Sequence, residues 1–215
     1  MPELPEVETI KNELLPWVVG QCFIQVTIFD TDLLPKISAE EFRHKLIGQT
    51  IESLKRRGKY LIFNLSSGQA LIMHFRMTGV LLLNPKGIDR YARAAFHFSN
   101  GVRLVFNDLR RFGVMQLVED VNAVVGKLGP EPLSEGFTPS ILTQRLSQHH
   151  IPTKAALVDQ SVIAGIGNMY ADEALFAAQI HPLKKADILS VEEIQALYHC
   201  ICEVLWSAMG LVVHC

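Results

Sequence analysis

The sequence predicts an α+β protein in which an N-terminal helix and an antiparallel β-sandwich are followed by an all-α domain. Three patterns predict this fold class: apolar residues at helical spacing near the N-terminus, short alternating runs between residues 22 and 118, and helical periodicity after a proline-rich segment at residues 129–133. We place the domain boundary in that segment, which gives a β-sandwich domain over residues 1–130 and a helical domain over residues 131–215.

The first predicted element is a helix over residues 3–15. Its apolar residues Leu4, Val7, Ile10 and Leu14 follow helical spacing, and Pro5 falls in the first turn, where its missing N–H costs nothing.

The segment from residue 22 to residue 118 predicts strands joined by hairpin turns. Its alternating runs are CFIQVTIF, YLIFNL, ALIMHF, AAFHFS, VRLVF and GVMQLV, and SSGQ, SNG and PKG provide the turns. One helix, from Ser38 to Leu46, interrupts them, with Ser38 as its N-cap and Glu41 at capping-box spacing.

Helical periodicity dominates the remainder of the chain. Helices are predicted near residues 138–149, 153–159, 168–178 and 190–209. The last of these has Ser190 as its N-cap and Glu193 three positions later.

Composition argues against a membrane or disulfide-rich protein. No apolar run reaches the roughly 18 residues that a membrane-spanning helix needs, and Glu3, Glu6 and Glu8 interrupt any signal-peptide pattern. The four cysteines stand at positions 22, 200, 202 and 215, which matches neither a disulfide framework nor the Cys-x-x-Cys spacing of a zinc site. Reduced thiols and no bound metal are therefore expected.

Charge is unevenly distributed along the chain. Residues 43–111 contain thirteen Lys and Arg against three acids, whereas residues 131–215 contain four against nine. A basic segment in a protein of net charge −2 is typical of a surface that binds a polyanion, because each neutralised phosphate releases counterions. A solvated charged face that is balanced elsewhere in the fold gives the same counts, and charge alone does not separate the two interpretations.

The N-terminus contains a candidate nucleophile. Met1 precedes Pro2, a small residue of the kind that allows removal of the initiator methionine, and removal would expose a secondary amine. An α-amine has a pKa of about 7.7–8.0, so a fraction is unprotonated at neutral pH, and its attack on a sugar C1′ would give an iminium ion. Glu3 would move protons in such a reaction. Proline and glutamate are also ordinary residues at a helix start, and the terminus alone leaves both interpretations open.

Five ordered segments resemble bacterial formamidopyrimidine-DNA glycosylases, enzymes that excise oxidised purines from DNA. They are PELPEVE at residue 2, RRGKYL at residue 56, HFRMTG at residue 74, RRFG at residue 110 and GIGNMYADE at residue 165. The resemblance implies a helix–two-turn–helix DNA-binding unit in the all-α domain. It also implies glycosylase activity with abasic-site lyase activity, in which Pro2, Glu3 and Lys59 are catalytic. With Leu4 and Val7, the PELPEVE segment resembles the purine-directed branch of the family.

An enzyme that acts on a base inside duplex DNA must unstack that base and fill the gap it leaves. The resemblance assigns Met77 to the vacated stack, Phe112 to a wedge between neighbouring bases, and Arg110 to the partner base left without a pair. Without the resemblance, Met77 and Phe112 are ordinary core residues and Arg110 is an ordinary surface charge.

Further DNA contacts follow from the resemblance. Lys59 is expected to contact the lesion or a phosphate, and the alternative is a solvated hairpin charge. Gly165 and Gly167 let the backbone approach closely, and the helix that follows is expected to offer unpaired N–H groups to a phosphate. Lys154 and Asn168 are expected to add a charge and a donor to this DNA-binding site.

Two further acidic residues fit the family resemblance, and two features of the chain differ from the family. Glu6 and Glu173 match acidic positions near the family's active site, with helix-terminal charge as the alternative. Leu109 stands where the family commonly has proline, which predicts a less rigid loop. The family's zinc-bound hairpin with its four cysteines has no counterpart before Cys215, so no zinc finger and no cofactor are expected in this chain.

Three functions remain in competition. The leading hypothesis is a DNA glycosylase and abasic-site lyase that acts on double-stranded DNA containing oxidised purines or abasic sites. The second is a truncated, excision-deficient protein that binds DNA or abasic sites. The third is a small-molecule enzyme or structural protein with a coincidental basic hairpin, which the order of the motifs disfavours. A monomer in the bacterial cytoplasm, associated with the nucleoid and not with a membrane, is expected.

Overall fold

The computed structural model describes residues 1–210, so Cys215 lies outside the described residues. The chain divides into two compact units, one of residues 1–2 and 7–126 and the other of residues 3–6 and the chain from residue 127 onward. The division falls at residues 126/127, whereas the sequence-based boundary stands at 130/131. The grouping of residues 3–6 with the helical unit is not visible in the sequence pattern.

The first unit is an antiparallel sandwich of two four-stranded sheets. Its strands are β1 (Phe23–Ile28), β2 (Ile51–Arg57), β3 (Tyr60–Leu65), β4 (Ala70–His74), β5 (Gly79–Leu83), β6 (Ala92–Phe98), β7 (Arg103–Asp108) and β8 (Val114–Val118). One sheet has the order β1-β6-β7-β5 and the other has the order β2-β3-β4-β8. All six predicted runs form strands. Strands β2 and β5 lie outside those runs, and each is an edge strand of its sheet.

Three α-helices accompany the sandwich: α1 (Leu4–Val18), α2 (Ala39–Leu46) and α3 (Asn122–Val125). Helix α1 confirms the predicted N-terminal helix and continues three residues beyond it. Ser38 caps α2 as predicted, because its hydroxyl accepts the N–H of Glu41 at 3.1 Å.

The core of the sandwich is rich in phenylalanine. Phe63, Phe96 and Phe106 point inward from three different strands, and Leu14 of α1 and Phe42 of α2 join the same buried cluster. Each such side chain stabilises the fold by roughly 1.5–3 kcal/mol relative to an exposed position.

The second unit contains α4 (Pro139–Leu146), α5 (Thr153–Val158), α6 (Asn168–Ala177) and α7 (Val191–Ala208), which confirm the four predicted helices. Ser190 and Glu193 form the predicted capping box: the serine hydroxyl accepts the glutamate N–H at 3.2 Å, and the glutamate carboxylate accepts the serine N–H at 2.8 Å. Among the described helices, none combines the length and the apolar composition that crossing a membrane requires.

Candidate active site

The carboxylate of Glu3 is held at the N-terminus of α6. Its Oε2 accepts the N–H of Gly167 at 2.6 Å, its Oε1 accepts the N–H of Met169 at 3.1 Å, and the residue is only 2% exposed. A helix N-terminus favours an anion because its first N–H groups have no partner within the helix. The expectation that these N–H groups are unpaired and offered to a phosphate is therefore wrong for two of them.

The turn before α6 requires glycine at position 165. Gly165 has a φ of +91°, and an added Cβ would lie 2.8 Å from the side chain of Leu4. The Gly165 carbonyl accepts the N–H of Leu4 at 3.0 Å. Gln160 supports the turn from the other side, because its Oε1 accepts the Gly165 N–H at 2.9 Å and its Nε2 donates to the Ile166 carbonyl at 2.7 Å. Gln160 belongs to no recognisable motif, so the sequence alone does not mark it as a supporting residue.

Glu6 connects the first turn of α1 to α6. Its Oε2 accepts the N–H of Glu3 at 2.8 Å, and its Oε1 accepts the hydroxyl of Tyr170 at 2.6 Å. Burial, followed by this contact with the Glu6 carboxylate, raises the pKa of Tyr170 above its ordinary value. Tyr170 lies inside the GIGNMYADE segment, but the sequence gives no sign of this contact. Together these contacts fix the residues that directly follow Pro2, which is itself partly buried.

The other predicted residues of the helical unit lie on its surface. Lys154 forms an ion pair with Asp172, with a distance of 2.8 Å between Nζ and Oδ1. Asn168 opens α6 and is exposed, as is Glu173. An exposed ion pair is worth about 0–1 kcal/mol, so Lys154 can exchange its carboxylate partner for a phosphate at little cost.

Lys59 lies in the turn between β2 and β3, after Gly58, whose φ is +56°. It is only 6% exposed, so the interpretation as a solvated hairpin charge is wrong. Burial, and then the positive charges of Arg76 and Lys59, lower the pKa of His74 to about 4. His74 is therefore neutral at pH 7, and its ring lies against that of Tyr60 with 4.6 Å between centroids.

Neutral His74 shapes the loop that presents Met77. Its Nδ1 accepts the N–H of Arg76 at 3.0 Å, which places the ring hydrogen on Nε2. Arg76 has a φ of +53°, a left-handed conformation in which this hydrogen bond holds it.

Met77 and Phe112 are 45% and 50% exposed, so the interpretation of both as core residues is wrong. Arg110 is exposed as well, and its guanidinium carbon lies 4.7 Å from the centroid of the Phe112 ring. A large apolar side chain on a loop, with a stacked arginine beside it, has the chemistry needed to enter a base stack.

The two adjacent arginines have different surroundings. The guanidinium of Arg111 binds Asp30 through two hydrogen bonds, of 2.6 Å from Nε and 2.8 Å from one terminal nitrogen. This pairing holds the pKa of Asp30 below its ordinary value. Arg111 has a φ of +60° and ties the loop to Asp30, whereas the Arg110 guanidinium stacks on the Phe112 ring. Asp30 carries no sequence signal and was missed.

Metal ligands are a separate question. Within residues 1–210, no group of three or more His, Cys, Asp and Glu side chains could hold a metal ion, so the described residues do not fit a zinc site.

These features define a class, the helix–two-turn–helix DNA-repair proteins. They are the β-sandwich unit, the helical unit with its Gly-x-Gly-Asn turn, and the exposed side chains of Met77, Arg110 and Phe112. The family model for the formamidopyrimidine-DNA glycosylase N-terminal domain matches residues 1–115, and the model for the helix–two-turn–helix domain of the same enzymes matches residues 128–212. The chain belongs to the formamidopyrimidine-DNA glycosylase family.

Individual relatives agree with this assignment. The chain is 42% identical over 213 residues to a formamidopyrimidine-DNA glycosylase of Carboxydothermus hydrogenoformans, a match that covers 98% of this chain and 78% of the relative. A relative of the same name from Chloroflexus aurantiacus is also 42% identical, with 97% and 77% covered.

Solved structures of the Lactococcus lactis enzyme are similar throughout the chain. Its complex with DNA that contains an abasic site has a TM-score of 0.90 at 33% identity, with 97% of this chain and 82% of that chain covered. Its complex with DNA that contains a formamidopyrimidine lesion, Fapy-dG, has the same TM-score and identity, with 97% and 80% covered.

Proposed function

We propose that this protein removes oxidised purines, formamidopyrimidines and 8-oxoguanine, from double-stranded DNA and then cleaves the strand at the abasic site through Pro2. Relatives at 42% identity are named formamidopyrimidine-DNA glycosylases, and similar solved structures are described as complexes with abasic-site and Fapy-dG DNA. The observation that carries the proposal is the fixed N-terminal segment, in which the buried Glu3 carboxylate binds two backbone N–H groups.

The proposed reaction starts once Met1 has been removed. The lone pair of the Pro2 nitrogen forms a bond to C1′ of the damaged nucleotide, and the bond from C1′ to the base breaks. The base leaves with that electron pair and takes up a proton. The nitrogen then loses its proton, the bond from C1′ to O4′ breaks, O4′ is protonated, and an iminium ion remains. The iminium accepts the electrons released when the C2′ proton is removed, and the resulting enamine expels the 3′-phosphate.

Fixing the amine contributes to the rate because the attack needs a near-attack geometry, and disorder at the N-terminus would oppose it. Glu3, Leu4 and Glu6 each bind α6 or the turn before it. We assign Glu3 the proton transfers at the sugar, since it directly follows the nucleophile and its carboxylate is held in place. Lys59, a cation with little exposure, is assigned to the lesion or an adjoining phosphate.

Other residues of the proposal act on the duplex. The base stack is entered by Met77 and Phe112, and the partner base is contacted by Arg110. Phosphates are bound by Lys154 and Asn168. Amine and carboxylate groups of the chain carry this chemistry, and we assign it no cofactor. With this substrate, we propose that the protein acts in the bacterial cytoplasm at the nucleoid.

The test is borohydride trapping on a duplex with a single abasic site. Mass spectrometry first establishes that the mature protein begins with Pro2. Wild-type protein should form a covalent adduct. Pro2→Gly, which allows methionine removal and keeps an α-amine, should form less adduct, and Pro2→Leu, a large residue that retains Met1, should form none. Excision assays on duplexes with formamidopyrimidine, 8-oxoguanine or thymine glycol then define the lesion class.

Absence of an adduct from protein with a free Pro2 would contradict the mechanism. Salt-dependent DNA binding without an adduct would instead indicate an excision-deficient binding protein. Faster release of thymine glycol than of either purine lesion would contradict the substrate class.

A further inference from the structure

Two loops meet at one end of the sandwich. The loop of residues 75–78 joins β4 to β5, and the loop of residues 109–113 joins β7 to β8. Strand β4 pairs with β8 in one sheet, and β5 pairs with β7 in the other. The register places His74 opposite Val114 and Gly79 opposite Asp108. Both loops therefore cross between the sheets side by side.

The side chain of Asp108 binds both loops. It is 1% exposed, and its Oδ1 accepts the Thr78 hydroxyl from the first loop and the Arg110 N–H, at 3.2 Å, from the second. Its Oδ2 accepts the Gly113 N–H at 2.7 Å at the far end of the second loop. The Thr78 oxygen also accepts the Arg110 N–H at 3.0 Å, which links the two loops directly.

We propose that Asp108 is a positioning residue that holds the Met77 loop and the Arg110–Phe112 loop in one arrangement, so that the three side chains enter duplex DNA as a unit. This inference rests on the proposed function and assigns a role to a residue that does not itself reach the DNA. The second loop, Leu-Arg-Arg-Phe-Gly, contains no proline, so side-chain hydrogen bonds supply the rigidity that its backbone lacks.

Preorganisation affects the rate because insertion into a stack orders every side chain that enters it. Loops already held in the inserting arrangement lose less conformational freedom on binding. Met77 and Phe112 lie on different loops, and the Asp108 side chain binds both of these loops. The benefit should therefore appear on substrates with an intact stack and disappear where no stack has to be opened.

Replacing the carboxylate by an amide isolates this role. Asp108→Asn keeps the shape of the side chain but turns one acceptor oxygen into an NH₂ donor. If the NH₂ group faces Gly113, that N–H loses its acceptor. If it faces the other loop, the Thr78 hydroxyl can turn to accept from it, but the bond from the Arg110 N–H to this side chain is lost. Either orientation leaves one backbone N–H less well bound.

The experiment compares two substrates: single-turnover strand cleavage on a duplex with 8-oxoguanine, and borohydride trapping on a single-stranded abasic oligonucleotide. For Asp108→Asn, the ratio of the duplex rate to the single-strand rate should fall about ten- to hundredfold, the factor expected for losing one hydrogen bond to a charged group. Glu119→Gln removes the same charge at an exposed position and should leave the ratio within about twofold.

Thr78 variants provide an independent arm if Asp108→Asn does not fold. Thr78→Ala removes the hydroxyl that links the loops and should lower the ratio, whereas Thr78→Ser keeps the hydroxyl and should restore it. A 2-aminopurine beside an abasic site reports unstacking directly, and its fluorescence rise on binding should be slower with Thr78→Ala than with Thr78→Ser.

An equal loss of rate on both substrates would show a general structural role and overturn the inference. Equal ratios for Thr78→Ala and Thr78→Ser would also overturn it. Failure of wild-type protein with a free Pro2 to form an adduct on the duplex with a single abasic site would instead refute the proposed function, so the two failures are distinguishable.

Discussion

Gly113 closes the Arg110–Phe112 loop, and its missing side chain is what allows Phe106 to pack beneath the loop. An added Cβ would lie 2.6 Å from Cζ and 2.7 Å from Cε1 of Phe106. Unstrained carbon contacts lie at about 3.5–4.0 Å, so the ring and the loop would have to separate by roughly 1 Å. Phe106 is fully buried among other side chains, which leaves its ring no space to move into.

We therefore expect Gly113→Ala to lower the free energy of unfolding of the sandwich unit by about 1–3 kcal/mol, the usual cost of overpacking a core. The assay is urea unfolding monitored by tryptophan fluorescence in a Trp206→Phe background, where Trp17 of α1 reports on the sandwich alone. Gly87→Ala is the matched control, because a Cβ there has no atom within 4 Å. It should change stability by less than about 0.5 kcal/mol.

The contact with Phe106 can be tested within the same chain. Phe106→Leu removes Cζ and Cε1, so Gly113→Ala should cost about 1 kcal/mol less in that background, a coupling typical of residues in contact. Gly79→Ala provides a contrast, because its Cβ would lie 2.5 Å from the backbone oxygen of Phe75. Truncating a side chain does not relieve a clash with the backbone. Equal costs for Gly113→Ala and Gly87→Ala, or no relief from Phe106→Leu, would refute the packing argument.

Three further predictions concern His74, Tyr170 and Lys154. The pKa of His74 is lowered to about 4, so the unfolded chain binds a proton there between pH 6.5 and 4 and the folded chain does not. Stability should fall by up to about 3 kcal/mol as the pH drops through this window, and His74→Asn should flatten the profile of urea midpoint against pH. Tyr170→Phe removes the hydroxyl that donates to a carboxylate, and should lower the stability of the helical unit by about 1–3 kcal/mol by Trp206 fluorescence. Asp172→Asn removes the ion-pair partner of Lys154 and should strengthen binding to undamaged duplex at low salt, whereas Lys154→Ala should weaken it and reduce the salt slope by about one.

Each of these predictions has a contradicting result. An unchanged pH profile in His74→Asn would mean that another group titrates in that window. A fully stable Tyr170→Phe would show that water replaces the hydroxyl without loss. Weaker DNA binding by Asp172→Asn would place Lys154 away from the phosphates.

The sequence was sufficient for the family and for most of the helices and strands. Hydrophobic periodicity predicted the six strand runs and the main helices, because burial of one face imposes a period of two or 3.6 residues whatever the surrounding fold. The N-caps of α2 and α7 were equally predictable from the sequence, because a capping Ser and the backbone N–H that it binds lie within three residues of each other. The five short motifs, by their residues and their order, identified the family.

The positions of the supporting residues came from the tertiary structure alone. Asp30, Asp108 and Gln160 act on segments that are distant in sequence or carry no motif, and ordinary composition does not mark them. The buried state of Lys59 and the occupation of the α6 N-terminus by Glu3 also depend on contacts that only a folded chain makes. The sequence determined which chemical groups the chain contains. Its local patterns extend over only a few residues, so they do not determine which of those groups come together. Strand pairing and helix packing decided which of those groups meet, because those contacts join residues up to 166 positions apart.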